Sequence, residues 1–128
     1  MATKVLSIVS TPYRGTVEEQ DDTVLWLTAM CASAGLDVSV LLSGSAVSYG
    51  LRGQDASGLS FGDRALSNPP TIDRDIEDLV ARGVSVSYVV DDLAERAIDT
   101  TRLVDGIKPV TRAGLPAVMA GFDQVWHW

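Results

Sequence analysis

The chain has 128 residues, of which 46% are hydrophobic, and its 17 acidic and 10 basic residues give a formal net charge of −7. This length fits one domain spanning residues 1–128, and the apolar fraction is sufficient for a buried core and too high for a disordered chain. The acidic balance argues against direct binding to nucleic acid or to an anionic membrane, because both attract a positive surface.

The cysteine content and the lengths of the apolar runs indicate the compartment. The single cysteine, Cys31, cannot form a disulfide within the chain, which favours a cytoplasmic protein over a secreted one. The first residues lead directly into a strand pattern and lack the long apolar core and cleavage site of a signal peptide. No apolar run approaches the roughly 20 residues that a membrane-spanning helix needs. A cytoplasmic protein without a membrane segment is therefore expected.

The first predicted element is a short buried strand over residues 4–9, bounded by a turn-rich segment. The loop that follows places Thr11, Tyr13 and Arg14 at the carboxyl end of this strand, where ligands collect in α/β sheets. It has neither GxGxxG nor P-loop spacing, so it contains no phosphate-binding motif. These three side chains are candidate ligand-binding groups. The alternative for Arg14 is a surface arginine that meets only water.

An apolar helix is predicted next, preceded by acidic residues that suit the positive end of a helix dipole. Val24, Leu27 and Cys31 recur at helical spacing, and Gly35 is placed to end the helix. Because apolar residues cover more than one side, this helix indicates a subunit interface. Cys31 lies in its body and is expected to be buried there, as a small hydrophobe and not as a reactive thiol.

The second strand is predicted over residues 38–42 and is followed by a small, polar segment. Ser43, Ser45 and Tyr49 lie at or just past the end of this strand, where their hydroxyls can line a small polar pocket. The alternative is structural, with Ser43 or Ser45 capping a short helix and Tyr49 packed in the core. Without a nearby histidine or a GxSxG spacing, nothing supports a serine hydrolase.

A long segment over residues 54–68 is rich in Gly, Ser and Asp. It is too long to be a passive turn in so small a chain, so we expect a surface loop that folds over a site or a neighbouring subunit. Disorder is the alternative, and Phe61 argues against it because a large aromatic ring should be buried.

The next helix is predicted to begin after the two prolines at positions 69 and 70. Ile72, Ile76 and Leu79 form its inner stripe, and Gly83 ends it. Its polar face, which includes Asp73, is expected to be solvated.

A strand over residues 84–90 then runs directly into another helix, with Asp91 and Asp92 at the junction. One of these carboxylates is expected to be the N-cap of the helix. Because ligands and chemistry collect at the carboxyl edge of open α/β sheets, an active site would have its floor here. The alternative is that one aspartate caps the helix and the other is solvated.

The last predicted elements are a short edge strand within residues 103–110, a short helix capped by Thr111, and a final strand with an aromatic end. Trp126 and Trp128 are expected to be buried against a helix or a second subunit. His127, the only histidine in the chain, has no Cys or His companions, so no metal site is predicted.

The alternation of strands and helices predicts a three-layer α/β sandwich with a mostly parallel, five-stranded sheet. No internal repeat or second domain is visible. The candidate ligand-binding residues at the strand ends are, together, Thr11, Tyr13, Arg14, Ser43, Ser45, Tyr49, Asp91 and Asp92.

Three segments carry a resemblance to a known family: GLDVSVLLSGSAV, GVSVSYVVDDLAERAI and the closing DQVWHW. Together with the order of the elements, they resemble the DsrE/DsrF/DsrH family, which includes the TusBCD sulfur-relay subunits. The similarity spans nearly the whole chain. It implies a flavodoxin-like (DsrE-like) sheet and assembly into trimers or hexamers, homomeric or mixed.

In that family, the best-understood members carry sulfur as a persulfide on a cysteine at the end of a strand before a helix. They pass it to partner proteins in sulfur oxidation or in tRNA thiolation. The matching segment here, around residues 89–91, has no cysteine, and neither Val nor Asp can form a persulfide. Cys31 does not match that position, so the family's catalytic role is not carried over to it.

These observations favour a DsrE-like protein associated with sulfur metabolism. It would act as an oligomeric subunit or small-molecule binder and not as the persulfide carrier. One alternative is a sulfurtransferase that uses Cys31, which would require an exposed, reactive thiol. Another is a flavodoxin-like small-molecule or nucleotide-binding module. An acid/base enzyme using Asp91 and Asp92 ranks last, because adjacent residues usually point apart.

The expected partners are other copies of the chain, as a trimer or hexamer, and a protein that takes part in sulfur transfer. No cofactor is predicted, and the sequence leaves open whether the protein catalyses a reaction.

Overall fold

The computed structural model describes residues 2–12 and 22–128, and its strands form a five-stranded sheet and a two-stranded hairpin. The strands are β1 (Lys4–Val9), β2 (Asp37–Leu42), β3 (Ser60–Phe61), β4 (Arg64–Ala65), β5 (Ser85–Val89), β6 (Lys108–Val110) and β7 (Gln124–His127). Five of them form a parallel sheet in the order β6-β5-β2-β1-β7, and β3 pairs with β4 in an antiparallel hairpin. The predicted α/β class with a five-stranded parallel sheet is confirmed.

Helices connect these strands. The α-helices are α1 (Thr23–Ser33), α2 (Ile72–Ala81), α3 (Val90–Glu95) and α4 (Leu115–Ala120), and 3-10 helices span Gly44–Gly50, Thr100–Arg102 and Arg112–Gly114. Gly35 and Gly83 follow α1 and α2 with φ of 95° and 84°, a conformation that glycine adopts without steric cost. Both helix ends therefore lie where the sequence predicted them.

The main core lies between one face of the sheet and the helices α1, α2, α3 and Gly44–Gly50. It is made of buried residues that alternate along the strands and recur at helical spacing: Val9, Val40, Leu42, Val86 and Tyr88 from the strands, and Val24, Leu25, Ala46, Val47, Ile76, Leu79 and Leu93 from the helices. The inner stripe predicted for α2 is confirmed, because Ile76 and Leu79 are almost completely buried. The strands are apolar on both faces because a parallel sheet is covered on both.

The second face of the sheet is covered more thinly. Leu6, Ile8, Leu41 and Val89 are buried there, and the apolar side chains packed on them from α4 and its flanks are only partly buried. The helix α4 has six residues, whereas α1 on the other face has 11. Part of this apolar layer is therefore left open to solvent.

The order of the strands explains why α4, among the described α-helices, lies on the face opposite to α1 and α2. From β1 the chain adds β2, β5 and β6 successively to one side, and then crosses back to add β7 on the other side of β1. Right-handed connections place helices on one face while the chain moves in one direction, and on the opposite face once it reverses. The reversal creates a topological switch point between β1 and β7, and ligands in open α/β sheets bind beside such points at the carboxyl edge.

The short edge strand predicted within residues 103–110 is confirmed as β6 (Lys108–Val110), and Leu103 forms an isolated antiparallel bridge with Leu51. One local expectation about a polar face was wrong. Asp73 is buried and not solvated, because its carboxylate accepts hydrogen bonds from the backbone N–H groups of Gly53 and Gln54 at 2.9 and 3.3 Å.

The burial expected for three side chains is incomplete within the single chain, and burial of Trp128 against a second subunit stays a prediction. Phe61 is 61% exposed on the β3–β4 hairpin, and Trp128 is 36% exposed beside β7. Cys31 is half-buried on α1. Local patterns identify these residues as apolar but do not say whether another element reaches them. Among the described residues, no helix combines the length and hydropathy needed to cross a lipid bilayer.

Gly106, in the turn before β6, offers a test of how closely α2 packs against this turn. Gly106→Ala and Gly83→Ala both place a side chain at positive φ, which costs roughly 1–2 kcal/mol. A Cβ at Gly106 would also lie 2.7 Å from Cγ1 of Val80, a stiff β-branched side chain, whereas nothing lies within 4 Å at Gly83. We expect Gly106→Ala to lower the free energy of unfolding by a further ~1–3 kcal/mol in urea denaturation. Equal losses in the two variants would contradict this packing.

Candidate functional site

The junction between β5 and α3 has no intervening turn. The N-cap of α3 is Val89, the last residue of the strand, so the expectation that Asp91 or Asp92 is the N-cap was wrong. Both aspartates lie in the first turn of the helix, where negative charge suits the helix dipole. Because the strand continues directly into the helix, the cap has no polar side chain, and the two carboxylates bind groups from other elements.

Asp92 connects the ends of three strands of the sheet. Its Oδ2 accepts a hydrogen bond from the backbone N–H of Gly44, which follows β2, at 2.8 Å. Its Oδ1 accepts one from Nη2 of Arg112, which follows β6, at 2.5 Å. Asp92 itself follows β5. The Asp92 side chain is buried, and burying a carboxylate away from water is unfavourable unless it is hydrogen-bonded. These two bonds replace the hydrogen bonds to water that the carboxylate loses.

The electrostatics of this cluster favour its charged form. Burial raises the pKa of Asp92, but the hydrogen bonds from the Gly44 N–H and from Arg112 outweigh burial and lower the pKa below its usual value. In turn, hydrogen bonds to Asp92 and Glu95 raise the pKa of Arg112. Arg112 donates to Glu95 Oε1 at 2.9 Å, although that pair is exposed and contributes little on its own.

Asp91 and Ser45, two other predicted site residues, belong to the same network. Asp91 Oδ1 accepts a hydrogen bond from the backbone N–H of Arg112 at 2.8 Å. Arg96 donates to the backbone oxygen of Asp92 at 3.0 Å and to Ser45 Oγ at 3.2 Å. The structure brings Ser45, Asp91 and Asp92 into one network through Arg96 and Arg112, two residues that the sequence did not indicate. These hydrogen bonds connect α3 to the segments that follow β2 and β6.

At the switch point, Ser10 links β1 to the end of β7. Its Oγ lies 2.9 Å from Nε2 of His127 and 2.9 Å from the backbone oxygen of Trp128. A carbonyl oxygen only accepts, so Ser10 donates its single proton to Trp128, and His127 donates to Ser10. A histidine that donates to a serine does not act as its base, so this pair does not activate Ser10. Ser10 was not predicted, although its position directly after β1 was a usable signal.

A cleft of about 550 Å³ opens beside the carboxyl edge, between the Gly44–Gly50 helix, the long loop and the start of α2. Its walls are formed by Pro12, Ser48, Tyr49, Pro70, Ile72 and residues 54–59. The walls combine apolar side chains with a few polar groups, the usual character of small-molecule sites. Among the described candidates from the sequence, Tyr49 alone lines this cleft.

Tyr49 is held in place by Asp22, the residue that begins α1. The Tyr49 hydroxyl donates to Asp22 Oδ2 at 2.6 Å, and Asp22 Oδ1 caps α1 by accepting from the N–H groups of Val24 and Leu25 at 2.9 and 3.0 Å. Asp22 is fully buried. The wall of the cleft is thus fixed to the N-terminus of α1. The sequence indicated an acidic residue at this helix start but not its bond to Tyr49.

The remaining candidate ligand-binding residues from the sequence do not join the Asp92 network or the described lining of the cleft. Thr11 is half-buried after β1, and Ser43 precedes the Gly44–Gly50 helix without a side-chain capping bond. Tyr13 and Arg14 lie outside the described residues. Within residues 2–12 and 22–128, no group of three or more His, Cys, Asp or Glu side chains is arranged to hold a metal ion.

Comparisons with solved structures place the fold among known proteins. The chain is similar to the YchN protein of E. coli, with 27% sequence identity, a TM-score of 0.71 and complete coverage of both chains. It also matches BT1422 of Bacteroides thetaiotaomicron, at 14% identity and a TM-score of 0.66, over 98% of this chain and 95% of that one. MTH1491 of Methanobacterium thermoautotrophicum matches at 16% identity and a TM-score of 0.58, over 98% and 99% of the two chains.

These neighbours fit a DsrE-like fold, and BT1422 and MTH1491 are described as proteins of unknown function. No protein-family model and no curated protein sequence matches the chain. The fold expected from the resemblance is therefore confirmed, and a role in sulfur metabolism is left as a hypothesis.

The Asp92 network can be tested by comparing two acids that bind the same arginine. At pH 7, Asp92→Asn is expected to lower the free energy of unfolding by ~1–3 kcal/mol, because buried bonds to a charged group are lost. Glu95→Gln should change it by less than about 0.5 kcal/mol, because its carboxylate is exposed. Urea denaturation of both variants measures this difference.

The pH dependence of the Asp92 variant follows from the lowered pKa of its carboxyl group. A lowered folded-state pKa stabilises the protein above the unfolded-state value of roughly 4, and this stabilisation is lost as the pH falls through the folded-state pKa. The gap between wild type and Asp92→Asn should therefore narrow in acid. A gap that stays constant from neutral pH to about pH 3 would contradict an ionised, stabilising Asp92.

Proposed function

We propose that this chain is a small-molecule-binding subunit with a DsrE-like fold, associated with sulfur metabolism but not itself a persulfide carrier. The observation that carries the proposal is the composition of the carboxyl edge, which has an open cleft and no thiol. The link to sulfur metabolism is supported by the family resemblance of the sequence segments, and the similarity to YchN supports the DsrE-like fold on which that resemblance rests.

The end of β5 is the place where the resemblance would put a persulfide cysteine. Val89, Val90 and Asp91 stand there instead, and Asp92 follows. The two carboxylates accept hydrogen bonds from Gly44 and Arg112 and are committed to holding strands together. A sulfur carrier needs a thiolate with access to its partner. The side chains at this position supply neither the sulfur nor an open place for it.

The position of Cys31 also argues against a carrier role. It lies in the last turn of α1, roughly 12 Å along the helix axis from Thr23 at a rise of 1.5 Å per residue. The helix α1 begins near the carboxyl edge and leads to the start of β2, so its last turn lies toward the opposite edge of the sheet. Cys31 is half-buried there, far from the cleft.

The cleft supports binding of a small molecule. Its volume of about 550 Å³ lies within the range of known ligand pockets, and it opens beside the carboxyl edge, where α/β sheets bind ligands. Its Tyr49 wall is fixed by the buried Asp22, so this part of the site is formed before a ligand arrives. A preformed wall reduces the entropy lost on binding.

A persulfide test separates this proposal from the sulfurtransferase alternative. The protein is exposed to a low-molecular-weight persulfide donor, desalted, and analysed by intact and peptide mass spectrometry beside Cys31→Ala. We expect no sulfur that can be passed from Cys31 to an acceptor thiol. Persulfide sulfur on Cys31 that transfers to the acceptor, and that is absent from Cys31→Ala, would contradict the proposal.

We also propose that copies of the chain assemble into a trimer or hexamer. The helix α1 leaves Trp26 and Met30 54% and 40% exposed beside a groove shared with α2, and the apolar layer around α4 is only partly covered. Exposed aromatic and methionine side chains of this kind are enriched at protein interfaces. Assembly would remove this apolar surface from water.

Trp26→Glu tests the assembly. It is expected to raise the concentration for half-dissociation at least tenfold, because an interface aromatic is replaced by a charge. Ala81→Glu places the same charge on an exposed position of α2 and should leave assembly unchanged. Native mass spectrometry and analytical ultracentrifugation measure both. A monomeric wild type, or equal effects of the two variants, would contradict the proposed interface.

A further inference from the structure

We infer that the cleft beside the carboxyl edge selects a small organic cation, namely an amine attached to an apolar or aromatic body. This inference rests on the proposed binding function and adds the chemical class of the ligand. Three features of the lining carry it: the sign of its charge, the direction of its hydrogen bonds and its apolar walls.

The charge of the described lining is negative. Among its described residues, Asp55 carries the only charged side chain at neutral pH, and no Lys, Arg or His is present. Hydrogen bonds from the Ser57 side chain and backbone lower the pKa of Asp55, with a smaller contribution from Arg74, so the carboxylate is charged at neutral pH. An anionic ligand would be repelled by this carboxylate, because Arg74 lies outside the described lining and the net charge of −7 adds to the repulsion.

The Gln54 side chain presents an acceptor. Its Nε2 lies within hydrogen-bonding distance of three backbone oxygens, those of Ser48 at 3.2 Å, Tyr49 at 3.0 Å and Leu51 at 2.8 Å. Carbonyl oxygens only accept, so they fix which end of the amide is the nitrogen. The amide hydrogens are used within the protein, and no donor from the described residues binds Oε1.

The hydroxyl groups of the described lining, like the Gln54 amide, use their hydrogens in bonds within the protein. Ser48 donates to the backbone oxygen of Ser45 at 2.9 Å, and Tyr49 donates to Asp22 at 2.6 Å. Ser57 donates its side-chain hydrogen bond to Asp55. Every hydroxyl or amide side-chain donor in the described lining is thus engaged inside the protein. The side chains of the cleft offer oxygen acceptors, and a ligand that satisfies them must bring the donors.

The apolar walls of the cleft indicate that the rest of the ligand is apolar. Pro12, Pro70 and Ile72 line the cleft with the Tyr49 ring, and Leu59 at its rim is 48% exposed. Covering these groups favours a ligand with a hydrocarbon or aromatic body. An ammonium group supplies up to three donors and a positive charge in a small volume, which matches Asp55 and the acceptor oxygens of Gln54 and Ser48.

Three probes with one ring and different end groups test this inference on the full chain: tyramine (ammonium), tyrosol (hydroxyl) and 3-(4-hydroxyphenyl)propionate (carboxylate). Isothermal titration calorimetry is expected to give a Kd for tyramine at least tenfold lower than for tyrosol, with the carboxylate weakest. The advantage of tyramine should shrink as salt is added, because Asp55 is exposed and its attraction is screened.

Two matched variants assign the effect to the cleft. Asp55→Asn keeps an oxygen for the Ser57 N–H but removes the charge, so it should weaken tyramine about tenfold and weaken the uncharged tyrosol much less. Asp63→Asn removes a charge from the same loop outside the cleft lining and should change neither. This control excludes a general effect of net charge.

The outcomes separate the two proposals. If tyrosol or the carboxylate binds as tightly as tyramine, or if Asp55→Asn has no effect on tyramine, the inference about charge is wrong and the binding function stands. If none of the three probes binds at millimolar concentration, both are wrong. A tyramine preference that Asp55→Asn abolishes and Asp63→Asn preserves supports the inference.

Discussion

The carboxylate of Asp92 is the interaction on which the carboxyl edge depends. It accepts from the Gly44 N–H after β2 and from Arg112 after β6, and its own helix begins at the end of β5. Parallel strands bring their carboxyl ends to one edge, where loops and helix ends diverge. A buried charge at that edge is stable only when it is fully paired, so the three strand ends are held in one arrangement.

A second buried carboxylate, that of Asp22, holds together two of the helices that lie beside the cleft. Asp22 caps α1 and accepts from the Tyr49 hydroxyl, so the start of α1 and the Gly44–Gly50 helix are joined through one side chain. Asp92 and Asp22 therefore hold the Gly44–Gly50 helix at its first residue and near its end. This short helix forms one wall of the cleft, and Gln54 then closes over its carbonyl oxygens.

These placements support the proposal that this DsrE-like sheet does not carry sulfur. Where the family resemblance puts a cysteine, this chain has carboxylates that bind its own backbone and arginine, and its one thiol lies near the other end of α1. The polar groups left facing a possible ligand are the oxygens that line the cleft. Under the proposed function, such a site would recognise a molecule by its hydrogen-bond donors and positive charge, and its described lining includes no thiol that could carry sulfur.

The sequence by itself determined the elements and the fold class. Apolar runs and alternation located β1, β2 and β5, and Gly35 and Gly83 located two helix ends, because these depend on residues close together in the chain. Tertiary structure alone decided what the polar residues do. Asp92 binds Gly44 from 48 residues away, and Tyr49 binds Asp22 from 27 residues away. Local patterns carry no information about such distant partners, so only the packing of the sheet and helices determines which carboxylates are buried and which oxygens remain for a ligand.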